Sequence, residues 1–158
     1  MAKVLVLGDE FKPFAKSLIH VIRNSVDHGI ESPEERVTEG KDEQGRILLC
    51  ISDNPDSLII EIADDGRGID THKLKEKAIT GGFKTPSELE SDDAIMELLF
   101  QDYLSTKEEV SDLSGRGVGL SSVAHELQKL GGTYHVTSET GVGSTFVFSI
   151  PKSVIKGL

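Results

Sequence analysis

Side chains able to do chemistry cluster in three short stretches of this chain, each pairing polar or acidic groups with closely spaced glycines. The first is Leu18-Ile19-His20-Val21-Ile22-Arg23-Asn24-Ser25-Val26-Asp27-His28. On a helix advancing about 100° per residue, His20, Asn24, Asp27 and Glu31 fall within about 60° of one another. Ala15, Leu18, Ile19, Ile22 and Val26 fall on the other, apolar side, which can bury against a sheet. The polar array is either a solvated helix face, a set of oxygen donors for a divalent cation such as Mg²⁺, or a means of orienting a water molecule. The second stretch, Asp64-Asp65-Gly66-Arg67-Gly68, directly follows an apolar run ending at Ala63. A carboxylate at a strand end can accept a hydrogen bond from an exocyclic amine, and Gly66 and Gly68 let the backbone approach a planar ligand. A sharp turn with solvated acids would carry the same residues. The third, Gly115-Arg116-Gly117-Val118-Gly119, opens a helix, where unpaired N–H groups and the positive helix end suit phosphate oxygens. It matches neither the phosphate loop nor the dinucleotide fingerprint. Gly141 and Gly143 read instead as the turn of a hairpin.

These groups need a scaffold, and the hydrophobic pattern supplies one. Residues 4–7 read as a short apolar strand, and a helix is expected over 13–28, closed by Gly29 in a left-handed cap. Residues 31–45 read as a polar connection with room for one helical turn. Strands are expected at 47–51 and 58–63 around a turn-forming Asp53-Asn54-Pro55-Asp56, and again at 133–138 and 144–150. Helices are expected from Asp70 or Thr71 to about 79, over 92–101, and from Gly119 to the Gly131-Gly132 pair. Two hairpins with helices before and between them give an α/β two-layer sandwich, a mostly antiparallel sheet covered on one face by helices. Repeated β-α-β units are absent, which argues against a doubly wound dinucleotide-binding fold.

Composition narrows the class. The 158 residues, with 37% hydrophobic and 28% charged side chains, fit one globular domain spanning residues 1–158. A formal charge of −10 argues against a nucleic-acid partner held through its phosphates. The single cysteine excludes an internal disulfide framework and any cysteine-rich metal site. No apolar run is long enough to span a membrane, so no membrane contact is expected, and the apolar run at 4–7 is too short and quickly polar to be expected as a secretion signal. A cytoplasmic location is the expectation. Residues 88–112 hold nine acidic side chains and one basic one, Lys107, a self-repelling stretch expected to form a mobile loop.

In this order the motifs resemble the ATP-binding catalytic domain of histidine kinases, within the GHKL or Bergerat-fold ATPases, and most closely the kinase domain of the chemotaxis kinase CheA. His20 to Glu31, continued by Pro33-Glu34-Glu35-Arg36 and Gly40-Lys41, is similar to that family's N box. Asp64-x-Gly66-x-Gly68 resembles its G1 box, Ser114 to Gly119 its G2 box, and Thr140-Gly141-Val142-Gly143-Ser144-Thr145-Phe146 its last glycine box. Two departures stand out. Asp102-Tyr103-Leu104-Ser105-Thr106 replaces the family's Pro-Gly-Phe-Ser-Thr lid sequence, and Leu120-Ser121 replaces its Met-Asp.

The resemblance implies the Bergerat fold and ATP with Mg²⁺ as ligands. It implies that Asn24 holds the metal against the triphosphate and that Asp64 accepts from the adenine amino group. His20 would lie near the γ-phosphate, with Asp27 and His28 nearby, as the catalytic set. Gly66, Gly68, Ser105, Thr106, Gly115, Arg116, Gly117, Gly119 and Thr145 would complete the nucleotide contacts, under a lid at about 100–113. The implied reaction is transfer of the γ-phosphoryl group to a histidine on another domain or protein, with a response regulator downstream. No phosphate-accepting, dimerisation or coupling module is recognisable, so the chain is expected to be a fragment or to act with partners. The alternatives are an ATP-binding module that transfers nothing, and a GHKL serine kinase or ATPase.

Overall fold

A computed structural model describes residues 7–102 and 119–154. Its centre is the pairing of two strands in which every second residue is apolar. β2 (Ser57–Asp64) and β4 (Gly143–Pro151) run antiparallel, bringing Leu58, Ile60 and Ile62 opposite Ile150, Phe148 and Phe146. All six are buried on one face of the sheet. β1 (Ile47–Asp53) pairs with the outer edge of β2 and β3 (Thr133–Glu139) with that of β4, giving the order β1-β2-β4-β3 with every pairing antiparallel. Both expected hairpins form. The β1–β2 turn closes with the Asn54 N–H donating to the Ser57 carbonyl at 2.9 Å.

Helices cover the buried face, as the two-layer reading requires. A 3₁₀ turn at Asp9–Phe11 leads into α1 (Lys12–Ser17) and α2 (Ile19–Asn24), interrupted at Leu18. α3 (Pro33–Thr38) follows, then α4 (Thr71–Thr80), α5 (Asp92–Glu97) and α6 (Leu120–Lys129). α6 buries Leu120, Val123 and Leu127 in the main core, as its periodicity predicts. A satellite cluster of Ala78, Leu89, Ile95 and Leu98 fastens α4 to the 86–98 region. No helix among the described residues is long and apolar enough to cross a membrane.

The first helix departs from expectation in two ways. Its buried stripe is Phe14, Ser17, Val21 and Ser25; of the expected apolar side Leu18 and Ile22 pack partly buried against the core, whereas Ala15 is exposed and Ile19 and Val26 are 53% and 56% exposed. Aromatic packing sets the rotation: Phe14 meets Phe148 and Phe11 edge-on, with centroids 5.8 and 5.9 Å apart. The helix also ends in a π-turn over Ser25–Gly29, in which the Ile30 N–H reaches the Ser25 carbonyl at 2.7 Å. Gly29 therefore does not take the left-handed cap conformation expected of it. The 31–45 connection is also more regular than expected. Ser32 and Glu35 form a capping box that starts α3, with Pro33 in its first turn. The expected strand at 4–7 lies, but for Leu7, outside the described residues.

If the Phe14–Phe148 contact sets the helix rotation, Phe148→Ala should lower the unfolding free energy by about 3–5 kcal/mol. Val26→Ala, on the side the apolar pattern had favoured, should change it by less than about 0.5 kcal/mol. Urea unfolding midpoints at constant slope distinguish the two.

Candidate nucleotide site

The alternation that builds the core also places the key carboxylate. Asp64 follows Leu58, Ile60 and Ile62 on the helix-covered face and pairs with Ser144, where the apolar ladder runs out. The Ser25 hydroxyl donates to Asp64 Oδ2 at 2.8 Å and the Gly66 N–H donates to Oδ1 at 3.0 Å, so the carboxylate is held on both oxygens. Behind it the chain turns tightly. A Cβ at Gly66 would overlap the Gly29 carbonyl, which accepts from the Arg67 N–H at 2.8 Å. A Cβ at Gly143 would overlap the Asp64 carbonyl, so this glycine packs against the Asp64 turn as well as shaping its own hairpin.

Asp65, one residue on, faces the other way and enters a charge network. Arg36 is buried and donates to Glu31 at 3.1 Å and to the Asp65 carboxylate at 3.0 Å. Lys41 reaches Glu31 at 2.5 Å and the carbonyls of Asp65 and Gly66 at 3.1 and 2.9 Å. Burial opposes ionisation of Glu31, but the hydrogen bonds from Lys41 and Arg36 hold its carboxyl below its ordinary value. Burial likewise opposes ionisation of Asp65, and the Arg46 N–H and Arg36 outweigh it. Burial disfavours the charge on Arg36, and Asp65 and Glu31 reverse that and raise its pKa. Among the described residues no buried side-chain nitrogen or oxygen lacks a partner.

In front of Asp64 lies a cleft of about 500 Å³, within the usual range for small-molecule sites. Asn24, Ser25, His28, Asp64 and Ser144 give it polar walls, and Ile69, Leu74, Leu98, Leu99, Leu120 and Phe146 give apolar ones. Arg67, Lys73 and Lys77 also line it, three cations in a chain of net charge −10. α4 delivers the two lysines, started by the Asp70 side chain capping the Lys73 N–H at 2.9 Å and held down by Ala78 in the satellite cluster.

Of the residues singled out from sequence, Asn24, His28, Asp64, Gly68 and Gly119 meet in this cleft. Gly66 sits beneath it as the tight turn. His20 lies one turn before Asn24 on α2, Asp27 in the π-turn is exposed, and Thr145 is half-buried between Ser144 and Phe146; these three do not line the cleft. Ser105, Thr106, Gly115, Arg116 and Gly117 lie outside the described residues, as does most of the expected lid. Sequence reasoning missed Ser25, Lys73 and Lys77. The signal for the lysines was present: spaced four apart after an Asp cap, they share one face of α4.

A family model described as "Histidine kinase-, DNA gyrase B-, and HSP90-like ATPase" matches residues 15–154, nearly the whole chain. The chain belongs to this ATPase family. Within it, the chain is 45% identical over 136 residues to the chemotaxis protein CheA of Bacillus subtilis, covering 85% of this chain and 20% of that protein. It is 47% identical to CheA of Listeria monocytogenes over 85% of this chain and 22% of the relative. It is 42% identical to a gliding motility regulatory protein of Myxococcus xanthus over 87% of this chain and 18% of the relative. The chain thus spans about a fifth of the length of these relatives. Among solved structures, the catalytic domain of the histidine kinase ThkA superposes with a TM-score of 0.53 at 20% identity, covering 89% of this chain and 67% of that one. That likeness supports the Bergerat fold of this ATPase domain.

The charge network carries a pH signature. Both of its carboxyls titrate below their unfolded values, so their contribution to stability is complete above the ordinary carboxylate range and is lost as pH falls through the lowered values. Urea midpoints should therefore fall on acidification below that range, and Glu31→Gln should show a shallower acid decline than the wild type.

Proposed function

We propose that this chain binds ATP with Mg²⁺ and serves as the catalytic domain of a CheA-like histidine kinase, passing the γ-phosphoryl group to a histidine on a separate domain or protein. The observation that carries the reading is a carboxylate, Asp64, fixed on both oxygens by Ser25 and Gly66 in a cleft that Arg67, Lys73 and Lys77 also line. An acceptor held in this way suits an exocyclic amine, and cations concentrated in an acidic chain suit a polyphosphate. Apolar side chains such as Ile69, Leu98 and Phe146 suit a planar ring.

The residues present fit a metal that arrives with its ligand. Asn24 offers one amide oxygen to the cleft, and the described residues contain no group of three or more His, Cys, Asp or Glu that could hold an ion unaided. Magnesium in such a site takes its remaining oxygens from water and from substrate phosphates. When bound, the metal neutralises phosphate charge; Asn24 fixes where it does so. His28 lines the same cleft, and His20 and Asp27, a turn or less from Asn24, are assigned to orienting the transferring group. Ser105, Thr106, Gly115, Arg116, Gly117 and Thr145 are assigned to the nucleotide by their place in the family motifs. Catalysis in this scheme is positioning plus charge neutralisation. The partners are a histidine-bearing phosphoacceptor and, downstream, a response regulator.

Titration calorimetry should show binding of ATP in preference to GTP, and Asp64→Ala should weaken ATP binding by about 1–3 kcal/mol and erase the preference. Asn24→Ala should remove most of the gain in affinity that Mg²⁺ brings. Equal wild-type affinities for ATP and GTP would overturn the assignment of Asp64.

With γ-labelled ATP, the isolated chain should stay unlabelled while an added helical domain bearing an exposed histidine acquires acid-labile phosphate. His20→Ala should slow that transfer more than it weakens binding. Label on the isolated chain would place the acceptor inside it and overturn the division between catalytic and acceptor domains.

A further inference from the structure

We infer that Glu31, Arg36 and Lys41 form a positioning clamp that sets the angle at which Asp64 presents its carboxylate to a bound base. The inference rests on the ATP reading above and concerns residues that never reach the cleft: Glu31, Arg36, Lys41 and Asp65 are all absent from its lining.

The clamp grips the two peptide units that follow Asp64. Arg36 places Nη1 against the Asp65 carbonyl at 3.2 Å and Nη2 against the Asp65 carboxylate at 3.0 Å. Its remaining donors fasten the 39–46 connection, through Nε to the Asp42 carbonyl at 2.7 Å and Nη2 to the Gln44 carbonyl at 3.4 Å. Lys41 adds bonds to the carbonyls of Asp65 and Gly66, at 3.1 and 2.9 Å. Glu31 ties the two cations together, one on each carboxylate oxygen, at 3.1 and 2.5 Å. The far side of Asp65 is held as well, since its Oδ1 accepts from the Arg46 N–H at 2.8 Å.

The direction of these bonds is what makes the network a positioning device. Carbonyls 65 and 66 are pulled towards α3, while the Gly66 N–H, on the same short turn, donates to Asp64 Oδ1 at 3.0 Å. Moving the turn therefore moves the donor that aims the carboxylate. Stability alone does not call for a buried acid–base pair such as Glu31 with Arg36, because apolar residues of similar volume commonly serve a core as well or better. Directional bonds fix geometry, and groups behind a recognition residue hold it to the fraction of an ångström that binding needs.

Removing Arg36 would strand two carboxylates, so Lys41 is the side chain to test. Lys41→Met should keep a cooperative fold, move the Gly66 amide resonance of the nucleotide-free chain upfield, and raise the dissociation constant for ATP about tenfold. The ratio of GTP to ATP dissociation constants should fall with it, and Lys41→Arg should restore both the resonance and the ratio. If Lys41→Met does not fold, Lys41→Gln is read in the same way. A lowered melting temperature with the Gly66 resonance and the nucleotide ratio unchanged would overturn the clamp and leave a purely structural network. A wild-type chain that bound no ATP would overturn the nucleotide reading instead, and the Gly66 resonance would still decide whether Lys41 governs the turn.

Discussion

The hydrogen-bonded pairing of β2 with β4 sets Leu58, Ile60 and Ile62 across from Ile150, Phe148 and Phe146, and the next pair in that register is Asp64 with Ser144. A two-residue period admits no compromise: if the apolar residues face the helices, so does the carboxylate that follows them. The hydrophobic core and the carboxylate that faces the cleft are thus consecutive terms of one series. Phe14 and Val21 on the covering helices dock onto the apolar part, and Ser25, further along the same stripe, meets the carboxylate. Core and cleft share a single register, and a slip that harmed one would destroy the other.

Charge is distributed with similar economy. Among the described residues Glu31 is the only buried acid, while the cleft gathers Arg67, Lys73 and Lys77, and the network behind Asp64, buried at Glu31 and Arg36, balances two acids with two bases. Lys73 and Lys77 come from a helix whose anchorage is the satellite cluster rather than the main core. The wall bearing the two lysines and the wall bearing Asp64 are therefore held by different apolar contacts. An acidic protein offers an anion no long-range attraction, so local cations must supply what the net charge opposes.

Much of this was legible in the residues. The four strands follow from alternation, α4 and α6 from capping and periodicity, and Asp64 from its place at a strand end before two glycines. Periodicity misplaces the first helix's rotation because it counts apolar residues without weighing them: Phe14, packed on Phe148 and on Phe11 of the preceding turn, outcompetes Ile19 and Val26. Glu31 reads as part of a polar face and is instead buried, neutralised by Arg36 and Lys41 from a stretch that reads only as a polar connection with room for one helical turn. Ion pairing across five and ten residues through a capped turn leaves no periodic trace. Ser25 escaped notice for a related reason: a small hydroxyl on a helix is informative only once its acceptor, 39 residues away, is known.

The π-turn at Ser25–Gly29 contains one residue more than an α-helical turn requires. In effect it is an insertion that lengthens nothing visible and acts as a phase shifter between the helix and the extended chain that leaves it at Ile30. Upstream, the phase is dictated by Phe14 and Val21 in the core; downstream, by the Gly29 carbonyl that receives the Arg67 N–H. Deleting a single residue there would rotate the chain leaving the helix by about 100° relative to the core-packed part and force a choice between core and turn. Surface segments usually tolerate gain or loss of a residue; this exposed one cannot, and its length is as constrained as any side chain in the interior.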